Sequence, residues 1–130
     1  MELEQIEMAE KARKNSYTPY SNFKVGAVLK TKSGKYYSGC NVENAGIQSI
    51  CAERVAFTKA ISEGETDFES IAVVGGEDGI DKTVNECLPC GYCRQFMQEF
   101  VSKDFKIFTK NGEEIKEYKM EELLPYGFKL

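Results

Sequence analysis

Two short stretches, Ile50-Cys51-Ala52-Glu53-Arg54 and Leu88-Pro89-Cys90-Gly91-Tyr92-Cys93-Arg94-Gln95, carry the residue types that could hold a metal and use it. Cys90 and Cys93 form a Cys-x-x-Cys pair opened by Pro89, whose fixed φ and missing N–H suit the first turn of a helix. A helix start there aims unpaired N–H groups and the positive end of a macrodipole at the sulfurs, which favours the thiolate a metal needs. Cys51 repeats the device at the head of an apolar-periodic segment (Val55, Ala56, Ala60, Ile61), so two helix N-termini are expected to face one cation. The chain has no histidine, so a tightly held transition metal must be bound by sulfur or carboxylate. Three thiolates with one open position is the pattern of a catalytic zinc, whereas a structural zinc usually has four protein ligands. Cys51, Cys90 and Cys93 supply the three, and water takes the fourth place.

Zinc lowers the pKa of a bound water from about 15.7 to as little as about 7 when its ligands are neutral. Three thiolates outweigh the charge of the dication and weaken that pull, so the site needs a nearby base. Glu53, two residues after a ligand, is the candidate. Successive helix residues turn by about 100°, so positions two apart lie on nearly opposite sides; Cys51 is therefore placed at the cap and Glu53 inside the first turn. Beside sulfur anions and shielded from water, Glu53 is expected to titrate above the usual carboxylate range and so to accept and return a proton. Arg54 could reach the sulfurs and offset their negative charge, with Arg94 as a competitor for that role.

Each feature has a plainer reading. A lone Cys-x-x-Cys also serves redox dithiols, and Cys87, Cys90 and Cys93 at equal spacing could begin an iron–sulfur motif, though Met97 and Glu99 stand where a further cysteine would be wanted. Cys40 and Cys87 read as a buried strand residue and a loop thiol. Phe23 taken alone is a core residue, Asn41 and Asn44 are turn formers, Glu43 is a solvated acid, Arg54 lies on an exposed helix face, and Phe128 covers the core.

The elements that must position these residues follow from periodicity and breakers. Residues 3 to about 15 read as a helix, with Leu3, Ile6, Ala9 and Ala12 spaced by three. Val25 to Leu29 and Lys35 to Cys40 read as strands of a hairpin turning at Ser33-Gly34. The Cys51 helix runs to about Ser62 and stops at Gly64. Glu69 to Gly75 holds Ile71-Ala72-Val73-Val74, a continuous apolar run of the kind covered on both faces. The Cys90 helix ends near Ser102. Phe105 to Phe108 pairs through Asn111-Gly112 with Glu114 to Tyr118, and a last helical turn, Met120 to Leu124, stops at Pro125. The order αββαβαββα predicts an α/β fold, a three-layer α/β/α sandwich around a mixed five-stranded sheet, with ligands collecting where helix N-termini meet strand ends.

At 130 residues the chain is expected to be one domain, 1–130. Its 17 basic and 21 acidic residues leave a net charge of −4 without a basic block, which disfavours long nucleic acid and favours a small ligand. The first residues lack a basic region followed by an apolar run, and no stretch approaches ~20 apolar residues, so a cytoplasmic protein with no membrane partner is expected. Five cysteines, an odd number, argue against a disulfide framework.

Cys51-Ala52-Glu53-Arg54 followed by Pro89-Cys90-Gly91-Tyr92-Cys93-Arg94-Gln95 resembles the cytidine deaminase family in its short, all-cysteine, homotetrameric form. Residues 19–27 (Pro-Tyr-Ser-Asn-Phe-Lys-Val-Gly-Ala), 39–44 (Gly-Cys-Asn-Val-Glu-Asn) and 122–125 (Glu-Leu-Leu-Pro) carry the resemblance over nearly the whole chain. It implies one zinc per chain and hydrolysis of cytidine or 2′-deoxycytidine to the uridine analogue, within pyrimidine salvage. The chemistry is that known for zinc deaminases and is not a deduction from spacing. The metal-bound water gives a proton to Glu53, Glu53 protonates the pyrimidine N3, hydroxide attacks C4, and ammonia leaves with Glu53 again the proton donor. The resemblance further implies that Asn41 and Glu43 bind the sugar hydroxyls, the Ala52 N–H holds the pyrimidine carbonyl, Phe23 packs on the base, and Phe128 reaches a neighbouring subunit's site. Ile47 stands where the family usually has a tyrosine near the sugar and subunit contacts, which leaves sugar preference and part of the tetramer packing open. Tyr92 stands where a small residue is common, and the sequence assigns it no role.

Three other functions compete. Deaminases of blasticidin S share the Cys-Ala-Glu and Pro-Cys-Gly-x-Cys-Arg-Gln runs but lack the full Asn-x-Glu-Asn segment. A non-catalytic, zinc-stabilised binding protein would use Cys40 or Cys87 as a fourth sulfur. A thiol redox protein would use Cys90 and Cys93 alone.

Overall fold

A computed structural model describes residues 2–130. Helix α1 (Glu2–Arg13) precedes the hairpin of β1 (Phe23–Thr31) and β2 (Tyr36–Cys40); α2 (Ala52–Ser62) leads to β3 (Phe68–Glu77); α3 (Gly91–Gln98) leads to β4 (Lys106–Asn111) and β5 (Glu114–Lys119); α4 (Met120–Leu123) follows. The sheet order is β2-β1-β3-β4-β5. β1 is antiparallel to both β2 and β3, so β2 and β3 run the same way and need a crossover, which α2 provides. β3 and β4 are parallel and are joined through α3, and β4 and β5 close as an antiparallel hairpin. Gly112, at φ 65, occupies the first position of the two-residue turn between Asn111 and Glu114.

Side chains alternate across the sheet and feed two cores. Val28, Ala72, Val74 and Phe108 meet Ile6 and Ala9 of α1 on one face. Ala27, Leu29, Ile71, Val73 and Ile107 meet Ala56, Phe57 and Ala60 of α2 and Met97 of α3 on the other. Helices therefore cover both faces, which makes the three-layer α/β/α sandwich expected from the order of elements. The apolar run in β3 is continuous because that strand is buried on both sides.

The largest departure from the expected boundaries is at the end of α3, while β1 and β3 extend one or two residues further at either end. The helix predicted to reach Ser102 ends at Gln98, because the Glu99 and Phe100 amides bond back only three residues, to Phe96 O at 3.3 Å and Met97 O at 2.9 Å. The tightened turn brings the Phe100 ring to 6.3 Å from the Phe57 ring and buries Val101.

Candidate functional site

Each cysteine-bearing helix begins in the same way. Cys51 is the N-cap of α2 (φ −75°, ψ 152°) and Cys90 the N-cap of α3 (φ −69°, ψ 167°), both extended and neither making a side-chain cap hydrogen bond. The first intrahelical bonds run from Val55 N to Cys51 O at 3.2 Å and from Arg94 N to Cys90 O at 2.9 Å. The cap side chain and the third helical residue lie over one another, the geometry a capping box exploits. In α3 that pair is Cys90 and Cys93; in α2 it is Cys51 and Arg54. Pro89 stands one residue before the Cys90 cap instead of in the first turn, so it sets the approach of the chain and not the helix itself.

Packing brings the two starts together. A Cβ on Gly39 of β2 would lie 2.4 Å from Ala52 O and 2.7 Å from Ala56 N, so α2 rests its first turn directly on the strand and only glycine allows it. The segment before Cys90 is tied down from several sides: the Glu10 carboxylate accepts from Thr83 N at 3.0 Å and Thr83 Oγ1 at 2.9 Å. Gly112 N donates to Val84 O at 2.6 Å, and the Glu86 carboxylate accepts from Thr109 Oγ1 at 2.8 Å and Tyr118 Oη at 2.5 Å.

The result is a cluster in which the sulfurs of Cys51, Cys90 and Cys93 all lie within 4.8 Å of one another, with Cys51 and Cys90 at 4.0 Å. Zinc–sulfur bonds of about 2.3 Å in a tetrahedron place sulfurs about 3.8 Å apart, so the donor set fits that ion. Among the described residues no other cysteine or carboxylate joins the group; Cys40 and Cys87 lie outside it. A hydrogen bond from Cys93, helped by Arg54 and Cys90 and opposed by burial, brings the Cys51 thiol down to about 5. Cys93, buried and donating to Cys51, is pushed up. The pair thus concentrates negative charge where a cation would sit.

Glu53 is 4% exposed. Burial raises its carboxyl to about 7, and the charge on Cys51 adds to that, while its own backbone N–H and Arg54 pull the other way. A carboxyl that changes charge near neutrality is suited to accepting and returning a proton. Cys87, also packed near this charge, is held as a thiol: burial first, then Glu53 and Cys51, push it up to about 12. Its sulfur and the Phe23 ring crowd Gly75, where a Cβ would lie 2.6 Å from Cys87 Sγ and 2.9 Å from Phe23 Cε2. Phe23 itself is partly open to solvent.

The two arginines separate. Arg54 Nη2 donates to Ser49 O at 3.1 Å and to Cys51 Sγ at 3.8 Å, and its bonds to the Cys51 and Cys93 sulfurs raise its pKa despite the opposing effect of burial. Arg94 turns away: its Nε donates to Pro89 O at 2.7 Å and its Nη1 to Leu123 O at 2.9 Å, tying the start of α3 to α4. Tyr92, to which the sequence assigned nothing, lies under Arg54, whose Cζ is 4.5 Å from the ring centroid. The signal was the arginine at the third position of one helix facing the tyrosine at the second position of the other, visible only once both caps are known to meet.

Ala52, the first helical residue of α2, is buried, and its N–H belongs to the turn that lacks intrahelical acceptors. Asn41 and Glu43 sit either side of the Tyr17–Val42–Ile50 bridges, beyond the end of β2. Asn41 Oδ1 accepts from Val25 N and its Nδ2 donates to Phe23 O, both at 2.9 Å. The Glu43 carboxylate accepts from Tyr20 N at 3.1 Å, Ser21 N at 3.2 Å and Ser21 Oγ at 2.5 Å. The hydrogen bond from Ser21 Oγ, then those from the two amides, hold its carboxyl below the usual range against the opposing effect of burial. Both side chains therefore brace the start of β1, which carries Phe23. Phe128 is 64% exposed, with its carbonyl accepting from Gln95 Nε2 at 3.1 Å and Gln98 Nε2 at 2.6 Å. Ile47, 91% exposed, takes φ 58°, a conformation that β-branched residues rarely adopt.

Comparison with known proteins bears on this site. Residues 2–109 match the family description "Cytidine and deoxycytidylate deaminase zinc-binding region". The chain is 40% identical over 125 residues to a cytidine deaminase of Sporosarcina psychrophila, covering 95% of this chain and 88% of that one. It superposes with a TM-score of 0.88 and 40% identity on the crystal structure of a cytidine deaminase from Burkholderia pseudomallei, covering 98% and 99% of the two chains. It is also 32% identical over 128 residues to a blasticidin-S deaminase of Bacillus cereus, covering 95% and 91%.

Proposed function

The chain belongs to the cytidine and deoxycytidylate deaminase family, and from that premise we propose that it hydrolyses the exocyclic amine of cytidine and 2′-deoxycytidine, releasing ammonia and the uridine analogue. The observation that carries this reading is the cluster of three sulfurs at two helix caps with a buried carboxyl beside them. Cys51, Cys90 and Cys93 hold zinc, which when bound supplies the Lewis acidity that makes water a nucleophile near neutral pH.

The protein's own groups do the rest. Glu53, poised near neutrality, takes a proton from the attacking water and delivers it to the pyrimidine N3, then takes the proton of the new C4 hydroxyl and delivers it to the departing amine as the C4 carbonyl forms. The Ala52 N–H, free at the head of α2, holds the pyrimidine carbonyl, and Phe23 packs against the base. Asn41 has a second amide hydrogen and Glu43 has spare lone pairs beyond their contacts with the chain, and with these they take the sugar hydroxyls. Arg54 withdraws negative charge from Cys51.

In this reading residues 1–130 act as one domain, and the enzyme is a cytoplasmic homotetramer of pyrimidine salvage in which Phe128 meets a neighbouring subunit's site. No described helix is long and apolar enough to cross a membrane. Phe128 is 64% exposed in the single chain, so its ring is available for contact with a neighbouring subunit. Likeness to a blasticidin-S deaminase keeps one other substrate in play; the Asn41-Val42-Glu43-Asn44 segment favours the nucleoside. Incubating the protein with cytidine, deoxycytidine and blasticidin S while following the fall in absorbance tests the assignment. Turnover of both nucleosides is expected, and turnover of the antibiotic alone would overturn it.

A further inference from the structure

We propose that Tyr92 is a positioning residue for the metal centre: its ring holds the Arg54 guanidinium against the Cys51 sulfur. The inference rests on the reading that the three cysteines bind zinc. Arg54 is poorly secured by hydrogen bonds alone. One nitrogen, Nη2, serves both Ser49 O and Cys51 Sγ, while Nε is buried without a partner. A flexible side chain tethered mainly through one nitrogen can swing about it. Tyr92 supplies a further constraint: the guanidinium carbon lies over its ring, 4.5 Å from the centroid, within the range of a cation–π contact.

Placement gives this contact its meaning. Arg54 belongs to α2, whose cap is Cys51, and Tyr92 to α3, between Cys90 and Cys93. The stack therefore links the two helix starts that supply the ligands, alongside the contact of the Arg54 guanidinium with the Cys93 sulfur. Tyr92 is 68% exposed, so it is not a core residue whose removal would empty the interior. Its ring has one evident use, which is to keep a positive charge beside sulfur. Loss of the ring lets Arg54 relax toward Ser49 and solvent, so the sulfurs give more electron density to the metal and its Lewis acidity falls.

The test compares Tyr92→Leu, which keeps apolar bulk without a π face, and Tyr92→Phe, which keeps the face, in the parent and in an Arg54→Gln background. Turnover of cytidine is measured on the zinc enzyme, and the sulfur-to-metal charge-transfer absorption on the cobalt-substituted enzyme. Tyr92→Leu should lower kcat by about threefold to tenfold, the range of a partly exposed cation–π contact, with KM little changed. It should also move the charge-transfer band to longer wavelength, in the direction of Arg54→Gln, whereas Tyr92→Phe should leave both unchanged. In the Arg54→Gln background the leucine substitution should add nothing. An unmoved band, or an equal further loss without Arg54, would overturn the proposal while leaving the zinc assignment intact. A parent protein that takes up neither metal would overturn both.

Discussion

Replacing Glu53 by Gln separates catalysis from stability, because the same burial that tunes the carboxyl also burdens the fold. In the unfolded chain Glu53 loses its proton near 4.5, and in the folded protein near 7. The folded pKa is the higher one, so as pH rises through this window the unfolded state releases a proton that the native state retains. Stability falls across the interval and stays lowered above it. The gap is worth about 3 kcal/mol at full extent, of which about 2 kcal/mol develops between about pH 5 and about pH 8. Glutamine has nearly the same shape and does not titrate. With the metal removed by a chelator, Glu53→Gln should therefore gain stability relative to the parent by about 2 kcal/mol between those two conditions, read from urea unfolding. With zinc restored, the variant should keep its metal but lose turnover of cytidine by about a hundredfold to ten-thousandfold, the contribution of a positioned acid–base group. Zinc is measured in both samples, so loss of rate cannot be confused with loss of metal. Equal rates, or stability profiles that run parallel with pH, would refute the placement of Glu53 as a buried proton carrier.

Gly39→Ala should destabilise the fold by about 1–3 kcal/mol, as overpacking does, and should speed zinc transfer to a coloured chelator, because its Cβ would meet the backbone of the first turn of α2; an unchanged melting temperature and release rate would show that α2 is not seated by that contact. Phe57→Ala should cost about 3–5 kcal/mol in chemical denaturation, since its fully buried ring has Phe68 at 5.2 Å and Phe105 at 6.1 Å; a loss below about 1 kcal/mol would contradict its central place.

The order of elements was legible because hydrophobic period and breakers agree throughout. Ile71 to Val74 reads as a doubly covered strand, Leu3, Ile6 and Ala9 read as a helix, and both are found so. The end of α3 was not legible, because Glu99 and Phe100 are compatible with further helix. What stops it is the pull of Phe100 and Val101 into the aromatic cluster around Phe57, a tertiary effect that overrides propensity. Asn41 and Glu43 were singled out only through the family resemblance, and their bracing of β1 depends on Tyr20, Ser21 and Phe23 folding back over them.

The site divides along the same line. Contacts within one helix start follow from spacing: a cap and the residue three along must meet, so Cys90 reaches Cys93 and Arg54 reaches Cys51 without knowledge of the fold. Contacts between helix starts follow from the angle at which α2 and α3 lie on the sheet, and that is set by Gly39 under one helix and by Met97 and Phe57 between both. This is why the ligands could be named from the sequence while Tyr92 could not. It is also why the competition between Arg54 and Arg94 was undecidable there: each stands within four residues of a ligand, yet Arg94 finds the carbonyls of Pro89 and Leu123 on its own side of α3. Only the arginine on the opposing helix is left to balance the sulfurs. The charge balance of the centre is therefore a property of the interface between α2 and α3, and substitutions that shift one helix against the other should change the acidity of the site even when every ligand is retained.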